Sequence, residues 1–392
     1  MANAHIICVA LCLVCCTAAV AEPFLPQDDG QVLESLPVVG SGHDRDLRRA
    51  RNALTKDPNN LQLAVALVKD YLTLGRTQAD PRYFGYAQAT LGPWWNNAKP
   101  PPQVLLLRAT LRQNRHDFAA ALRDLEQVLE LQPRNAQAWL TRAVILAVLG
   151  DYAGARRNCL PLLHLTSHLV AISCLSNGSS LSGEAEKSYQ LLEYALENAA
   201  QASIDERLWA ATLLGEIATR LGDTEAAERH FLQAMNLGRP DAYLLSAYAD
   251  LLLDQDRPQE VRNLLQDQTR SDGLLLRLAL AEQRLGSPRL QHMVELLRVR
   301  FADNRRRGGT PHLRAEARFA LELTDDAGQA LHLAQRNWAD QREPTDARLL
   351  LEAALATRQS QAARPVLEWL SRTTLQDVRL AALAEQIGRL NK

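Results

Sequence analysis

Beyond its first 21 residues this chain lacks any long uncharged apolar run, and nowhere does it carry an excess of one charge, with 44 Lys and Arg against 45 Asp and Glu. The first absence leaves no segment of the roughly 20 apolar residues that a membrane-spanning helix needs. The second argues against a strongly basic nucleic-acid binder. Aromatic residues are scarce at 5%, which does not suit a β-sandwich, whereas a hydrophobic content of 47% excludes disorder over most of the length. Four of the six cysteines (Cys8, Cys12, Cys15 and Cys16) fall within the first 21 residues, so only Cys159 and Cys174 remain beyond them. There is no zinc-type cysteine spacing, no Gly-rich phosphate loop, no Gly-x-Ser-x-Gly elbow and no His-Glu-x-x-His helix. Neither catalysis nor a cofactor or metal site is therefore expected. His164 and His168 share an i, i+4 spacing, but no third ligand is near them in sequence, and they read as exposed turn residues.

What is present begins with a charge-free stretch over residues 1–21, apolar from Ile6 to Val14 and ending Ala19-Val20-Ala21. It reads as a secretory signal cleaved before Glu22, with an uncleaved N-terminal anchor as the alternative, and it places the protein in the periplasm or outside the cell. Residues 22–43 contain Pro, Gly and Asp without helical periodicity and read as a flexible leader.

From residue 44 to 392 the chain repeats itself. Ala109 and Ala143, Asp117 and Asp151, Phe118 and Tyr152, and Gly215 and Ala249 are each separated by 34 residues. Small residues at Ala109, Ala143, Gly215 and Ala249 permit two helices to cross closely. Gly150-Asp151 and Gly222-Asp223 end one helix and cap the next. The strongest copies span 102–135, 136–169, 208–241 and 242–272. The copy over about Leu169 to Glu206 is longer, and its Leu175-to-Gly183 stretch is expected to weaken the first helix or lengthen the turn. About nine helix pairs are expected, closed by a capping helix carrying Leu383, Ile387 and Leu390.

The interval and the stretches from Ala136 and Leu208 resemble the tetratricopeptide repeat family. That resemblance implies an all-α fold, a right-handed α-α superhelix whose first helices line a concave groove. The stretch from Asn337 to Leu355 is similar to exported bacterial repeat proteins, which implies a bacterial envelope setting. Family positions carried onto this chain place Thr110, Gln113, Asn114, Gln137, Trp209, Glu216, Arg220, Tyr243, Asp250 and Asp254 on the groove wall. Leu106, Thr110, Leu140 and Val144 stand where chaperone-binding members hold carboxylate-clamp residues, so that clamp is absent.

Cys159 and Cys174 flank a turn near Thr166, at matching heights on antiparallel neighbouring helices; a disulfide is favoured over two buried thiols. Arg108 and Arg142 occupy equivalent positions where burial demands partners, and they read as a structural ladder. Arg298, Arg300, Arg305, Arg306 and Arg307 form the densest basic cluster, read either as a solvated loop or as an anion site. The function expected is a non-enzymatic protein-interaction scaffold of the bacterial envelope, taking a protein or peptide in the groove, within a membrane-associated complex but without a membrane span of its own. The alternative is an envelope binding protein for a small anion, metal or glycan at the arginine cluster.

Overall fold

The computed structural model describes residues 42–78, 80–306 and 313–390. The signal segment and most of the leader lie outside them. The chain divides into two units, residues 1–48 and 49–392. The described part of the first is the start of helix α1 (Gly42–Lys56).

The second unit is built of helix pairs, and the described residues contain no strand. The pairs are α2 (Leu61–Thr77) with α3 (Arg82–Thr90), then, after the short α4 (Gly92–Trp95), α5 (Pro102–Asn114) with α6 (Phe118–Leu131). Next come α7 (Ala136–Val148) with α8 (Tyr152–Cys159), α9 (His168–Ser180) with α10 (Ala185–Glu197), and α11 (Ile204–Leu221) with α12 (Thr224–Met235). They continue with α13 (Ala242–Asp254) and α14 (Pro258–Leu265), α15 (Asp272–Arg284) and α16 (Leu290–Arg306), and α17 (Leu313–Glu322) and α18 (Ala327–Asp340). The array ends with α19 (Pro344–Ala356), α20 (Arg364–Thr373) and the single helix α21 (Val378–Leu390). This is a tetratricopeptide-type α-α solenoid, with each odd-numbered helix from α5 to α21 packed on the next odd-numbered one.

Backbone chemistry sets the register. Every first helix from α5 to α19 is followed by a residue in the left-handed region: His116, Gly150, Gly183, Gly222, Asp256, Gly286, Asp325 and Arg358. Glycine fills this position without a Cβ penalty, and Asp tolerates it better than most residues. An aspartate then often caps the second helix, as Asp151 does by accepting from the Gly154 amide (2.8 Å) and Asp223 from the Ala226 amide (2.9 Å). At Gly215 a Cβ would come within 2.6 Å of the Phe231 ring, so the α11–α12 crossing requires glycine.

The Leu175-to-Gly183 stretch departs from expectation, because its polar residues up to Ser180 stay helical within α9. The extra residues of this copy follow Gly183, in the connection after α10 and in the 18-residue α11, which opens on a Ser203–Glu206 capping box. Arg108 is buried and bonds Asp124 through two nitrogens (2.9 and 2.8 Å). The ladder stops there, since the residue equivalent to Asp124 in the next repeat is Asn158, which bonds the Gly154 carbonyl, and Arg142 is only half-buried.

The last repeats also pack on the turns of the middle ones. The Arg342 amide donates to the Val148 carbonyl (2.8 Å), and the Tyr152 hydroxyl donates to the Arg342 carbonyl (3.0 Å). The Ala185 amide donates to Gln376 Oε1 (2.7 Å). A Cβ at Gly150 would reach within 3.3 Å of Arg342, and one at Gly222 within 3.2 Å of Val378. Ala147, Tyr152 and Leu181 accordingly share one apolar core with Leu350, Trp369 and Ile387. The capping helix α21 thus touches both its neighbour α19 and the distant α11. Burying Trp369 at 1% exposure in this seam makes it a principal anchor, with truncation expected to cost about 3–5 kcal/mol.

Candidate interaction surface

The odd-numbered helices carry the polar groups of the inner wall, and these groups sort into three stretches. In the early stretch, on α5 and α7, the amides and hydroxyl are satisfied on their own helices. Thr110 Oγ1 donates to the Leu106 carbonyl (3.0 Å), Asn114 Nδ2 to the Thr110 carbonyl (3.0 Å), and Gln137 Nε2 to Thr141 Oγ1 (3.1 Å). Gln113 is half-buried beside them.

In the late stretch the wall is closed by ion pairs between repeats. Asp250 accepts from Arg277 of α15 (2.5 Å) and from Arg318 of α17 (2.6 Å). One turn later, Asp254 accepts from Arg348 of α19 and Arg379 of α21, both at 2.7 Å. Two aspartates on α13 therefore bind all four inner helices that follow. Burial alone would push both carboxyls up, but the paired guanidiniums outweigh it and hold both below the ordinary carboxylate range. Next to them Arg314 bonds Asp346 through Nε (2.5 Å) and Nη2 (2.9 Å), and Nη2 also bonds Glu343. Asp250 and Asp254, expected on the groove wall, each hold two arginines from later repeats, partners that a 34-residue register does not indicate.

Between these lies the middle stretch, on α11 and the start of α13. Tyr243 donates its hydroxyl to Glu216 Oε1 (2.6 Å), while its residue surface remains 56% exposed. Burial, reinforced by the negative Glu216 and Glu343, raises the Tyr243 phenol well above its ordinary value. Burial likewise pushes Glu216 up to about 7, with Glu343 and Asp241 adding to the rise and the Tyr243 bond and Arg220 opposing it. Arg220 is buried at 7% exposure, turns its Nη2 to Ser180 (2.8 Å), and leaves Nε without a partner. Glu343 faces this group from the turn before α19, a proximity across 127 positions that no local sequence signal announces.

Trp209, also assigned to the groove wall, is half-buried against the cluster of Ala143, Cys159, Leu162, Ala171 and Cys174. The Cys159–Cys174 bond itself is formed, with Cα atoms 5.6 Å apart and the partners 15 positions apart in sequence. His164 and His168 are exposed at the adjacent turn.

The basic cluster does not converge. Arg298 pairs with Glu295 (2.6 Å), Arg300 with Asp272 (3.1 Å), Arg306 with Asp303 (2.6 Å), and Arg305 with the buried Glu316. Arg300 also donates to the Thr269 carbonyl in the connection between α14 and α15, 2.9 Å away. Arg298 and Arg305 border a surface cavity of about 360 Å³ together with Phe301, Glu316 and Phe319. Arg307 lies outside the described residues. Of the candidate anion-site arginines, the four described are each paired with a different carboxylate.

No family model and no curated protein sequence matches the chain. Among solved structures, the chain is similar to a tetratricopeptide repeat protein from Parabacteroides merdae, at 16% identity over 64% of this chain and 90% of that one, with a TM-score of 0.41. It is similar also to the Cut9–Hcn1 hetero-tetramer of APC/C, at 16% identity over 80% of this chain and 60% of that one, TM-score 0.44. Yeast Tom70 matches at 11% identity over 89% of this chain and 86% of that one, TM-score 0.40.

Proposed function

We propose that this protein is a non-enzymatic interaction scaffold of the bacterial envelope, exported by its N-terminal signal, which binds a segment of a partner protein along its inner wall. The observation that carries the reading is the contrast at α11 and α13. Asp250 and Asp254 are closed by arginines, whereas Tyr243 presents a 56%-exposed ring fixed at its hydroxyl by Glu216. An aromatic held rigidly in partly dry surroundings gives a contact large area at little entropic cost. The repeat architecture supports the same reading, since stacked helix pairs build extended concave surfaces suited to segments of other proteins. A buried disulfide fits an oxidising compartment. The small-anion alternative has less support, because the described arginines of its cluster are paired.

The test is affinity capture from an envelope extract with the full chain and with its Tyr243→Ala variant, both checked for an unchanged melting curve. A protein retained by the first and lost by the second is expected. Equal retention by both would move the binding surface away from α13.

A further inference from the structure

We infer that the segment held at the inner wall presents a basic side chain, Lys or Arg, to the ring of Tyr243 and the carboxylates of Glu216 and Glu343. This rests on the proposed scaffold reading and narrows the chemistry of its partner.

The argument starts from how this wall treats its other carboxylates. Asp250 and Asp254 each receive two guanidiniums, and Asp346 receives Arg314 through two nitrogens. Glu216 receives a phenol hydroxyl. The charged groups that face it are Arg220 on its own helix, Asp241 at the cap of α13 and Glu343 before α19. Arg220 directs a guanidinium nitrogen to Ser180 but is also the nearest opposing charge to Glu216, and Glu343 is paired with Arg314, which holds Asp346 as well. Carboxylates thus outnumber cations around the phenol, and no guanidinium bonds Glu216 among the described residues. A ligand cation there would lie against an aromatic surface and beside a carboxylate, two attractions that strengthen each other in partly dry surroundings. A ligand carboxylate would meet Glu216 and Glu343 and be repelled.

The pKa of Glu216 gives the inference a handle. Raised to about 7, this carboxyl is largely protonated in mildly acidic solution, and a bound cation favours its ionised form. Affinity for a basic segment should therefore rise with pH across neutrality.

The experiment uses the full chain and three fluorescein-labelled nine-residue peptides, repeats of Leu-Arg-Ser, Leu-Glu-Ser and Leu-Ser-Ser, followed by fluorescence anisotropy. The Arg peptide is expected to bind at about pH 8 and to lose roughly tenfold in affinity at about pH 5.5, as the carboxylate is neutralised. Glu216→Gln, which keeps the size of the side chain, should weaken binding by roughly tenfold at the higher pH and flatten the dependence. Tyr243→Ala should also lose it. If the Glu or Ser peptide binds as tightly and is lost in Tyr243→Ala, the basic-segment inference is overturned while the scaffold reading stands. Arg-peptide binding that ignores both substitutions overturns the inference, as does the absence of binding by all three peptides. In the last case the extract capture still decides the scaffold reading separately.

Discussion

Glu216 on α11 and the aspartates of α13 occupy the same inner wall, yet the protein handles them in opposite ways. Asp250 and Asp254 are ionic staples, each shared by two later repeats, and their proton affinity falls because guanidiniums overcome the cost of burial. Glu216 has a phenol donor and no bonded guanidinium, and burial raises its proton affinity beyond what the Tyr243 bond and Arg220 can offset. The difference teaches that carboxylates on successive inner helices can be bridged by arginines in one stretch and left without a bonded guanidinium in the next without any change of fold; the proposed binding role rests on the second stretch. Carboxylates are bridged by paired guanidiniums where the late repeats hold one another, whereas at Glu216 the opposing charge of Arg220 makes no hydrogen bond to the carboxylate.

Breaking a staple should have the largest effect. Asp250→Ala leaves Arg277 without a carboxylate and Arg318 with Glu322 alone, in a wall where each arginine is less than one-fifth exposed, and should cost about 3–5 kcal/mol in denaturant unfolding. If the loss is below about 1 kcal/mol, the pair acts as an ordinary surface salt bridge and the contrast with Glu216 disappears.

Removing the disulfide by Cys159→Ala with Cys174→Ala tests the support of the receptive stretch, since Trp209 at the foot of α11 rests on it. Opening a 15-residue loop should cost about 3 kcal/mol. Hydrogen exchange should quicken in α8, α9 and the first turns of α11 while the staples of α13 keep their protection. Uniform loosening would show that the two stretches are one cooperative unit.

Smaller again, and of opposite sign, is Glu216→Gln. A carboxyl whose folded pKa lies above its unfolded value contributes stability that is fully present below the unfolded pKa and is lost as pH rises through the folded one. With a folded value of about 7, the wild type should lose about 2 kcal/mol between mildly acidic and mildly basic solution, after allowance for screening by groove water. The variant should lose much less. Asp250 and Asp254 work in reverse, since depressed carboxyls add stability above their unfolded pKa that is lost as pH falls through the folded one. The complete profile should therefore decline on both the acid and the basic side, and a flat basic limb would remove Glu216 from the account.

The smallest effect belongs to Tyr243→Phe. It removes one exposed hydrogen bond and should change stability by about 1 kcal/mol or less, readable as a shift in melting temperature, while lowering partner binding through the lost anchor on Glu216.

How much of this was legible beforehand follows from which interactions are local. The 34-residue interval, the small crossing residues and the Gly-Asp pairs act within one repeat, so the solenoid and the strong copies could be read directly. The disulfide followed from two neighbouring helices. Left-handed positions filled by Asp325 and Arg358 hid the same register in the weaker copies, because only glycine advertises that backbone state. The polar run ending at Ser180 misled in the other direction, as its residues stay helical on α9, within a repeat whose insertion lies farther on. Least legible was the pairing of residues far apart in sequence. Nothing near Asp254 indicates Arg379, 125 positions away, and nothing near Val148 indicates the Arg342 amide. Tyr243 and Glu216 were placed on the wall by register alone, whereas the carboxylates that make their surroundings distinct come from Asp241 nearby and from Glu343, brought there by the return of the last repeats.

The most direct test of the contrast is a pH titration of the side-chain carboxyl carbons by ¹³C NMR, with Glu216 and Asp250 assigned through Glu216→Gln and Asp250→Asn. A midpoint near 7 for Glu216, with Asp250 remaining ionised to well below the ordinary carboxylate range, is the predicted result. Two ordinary midpoints, or a Glu216 that titrates together with the aspartates, would contradict the division of the wall into a stapled and a receptive stretch.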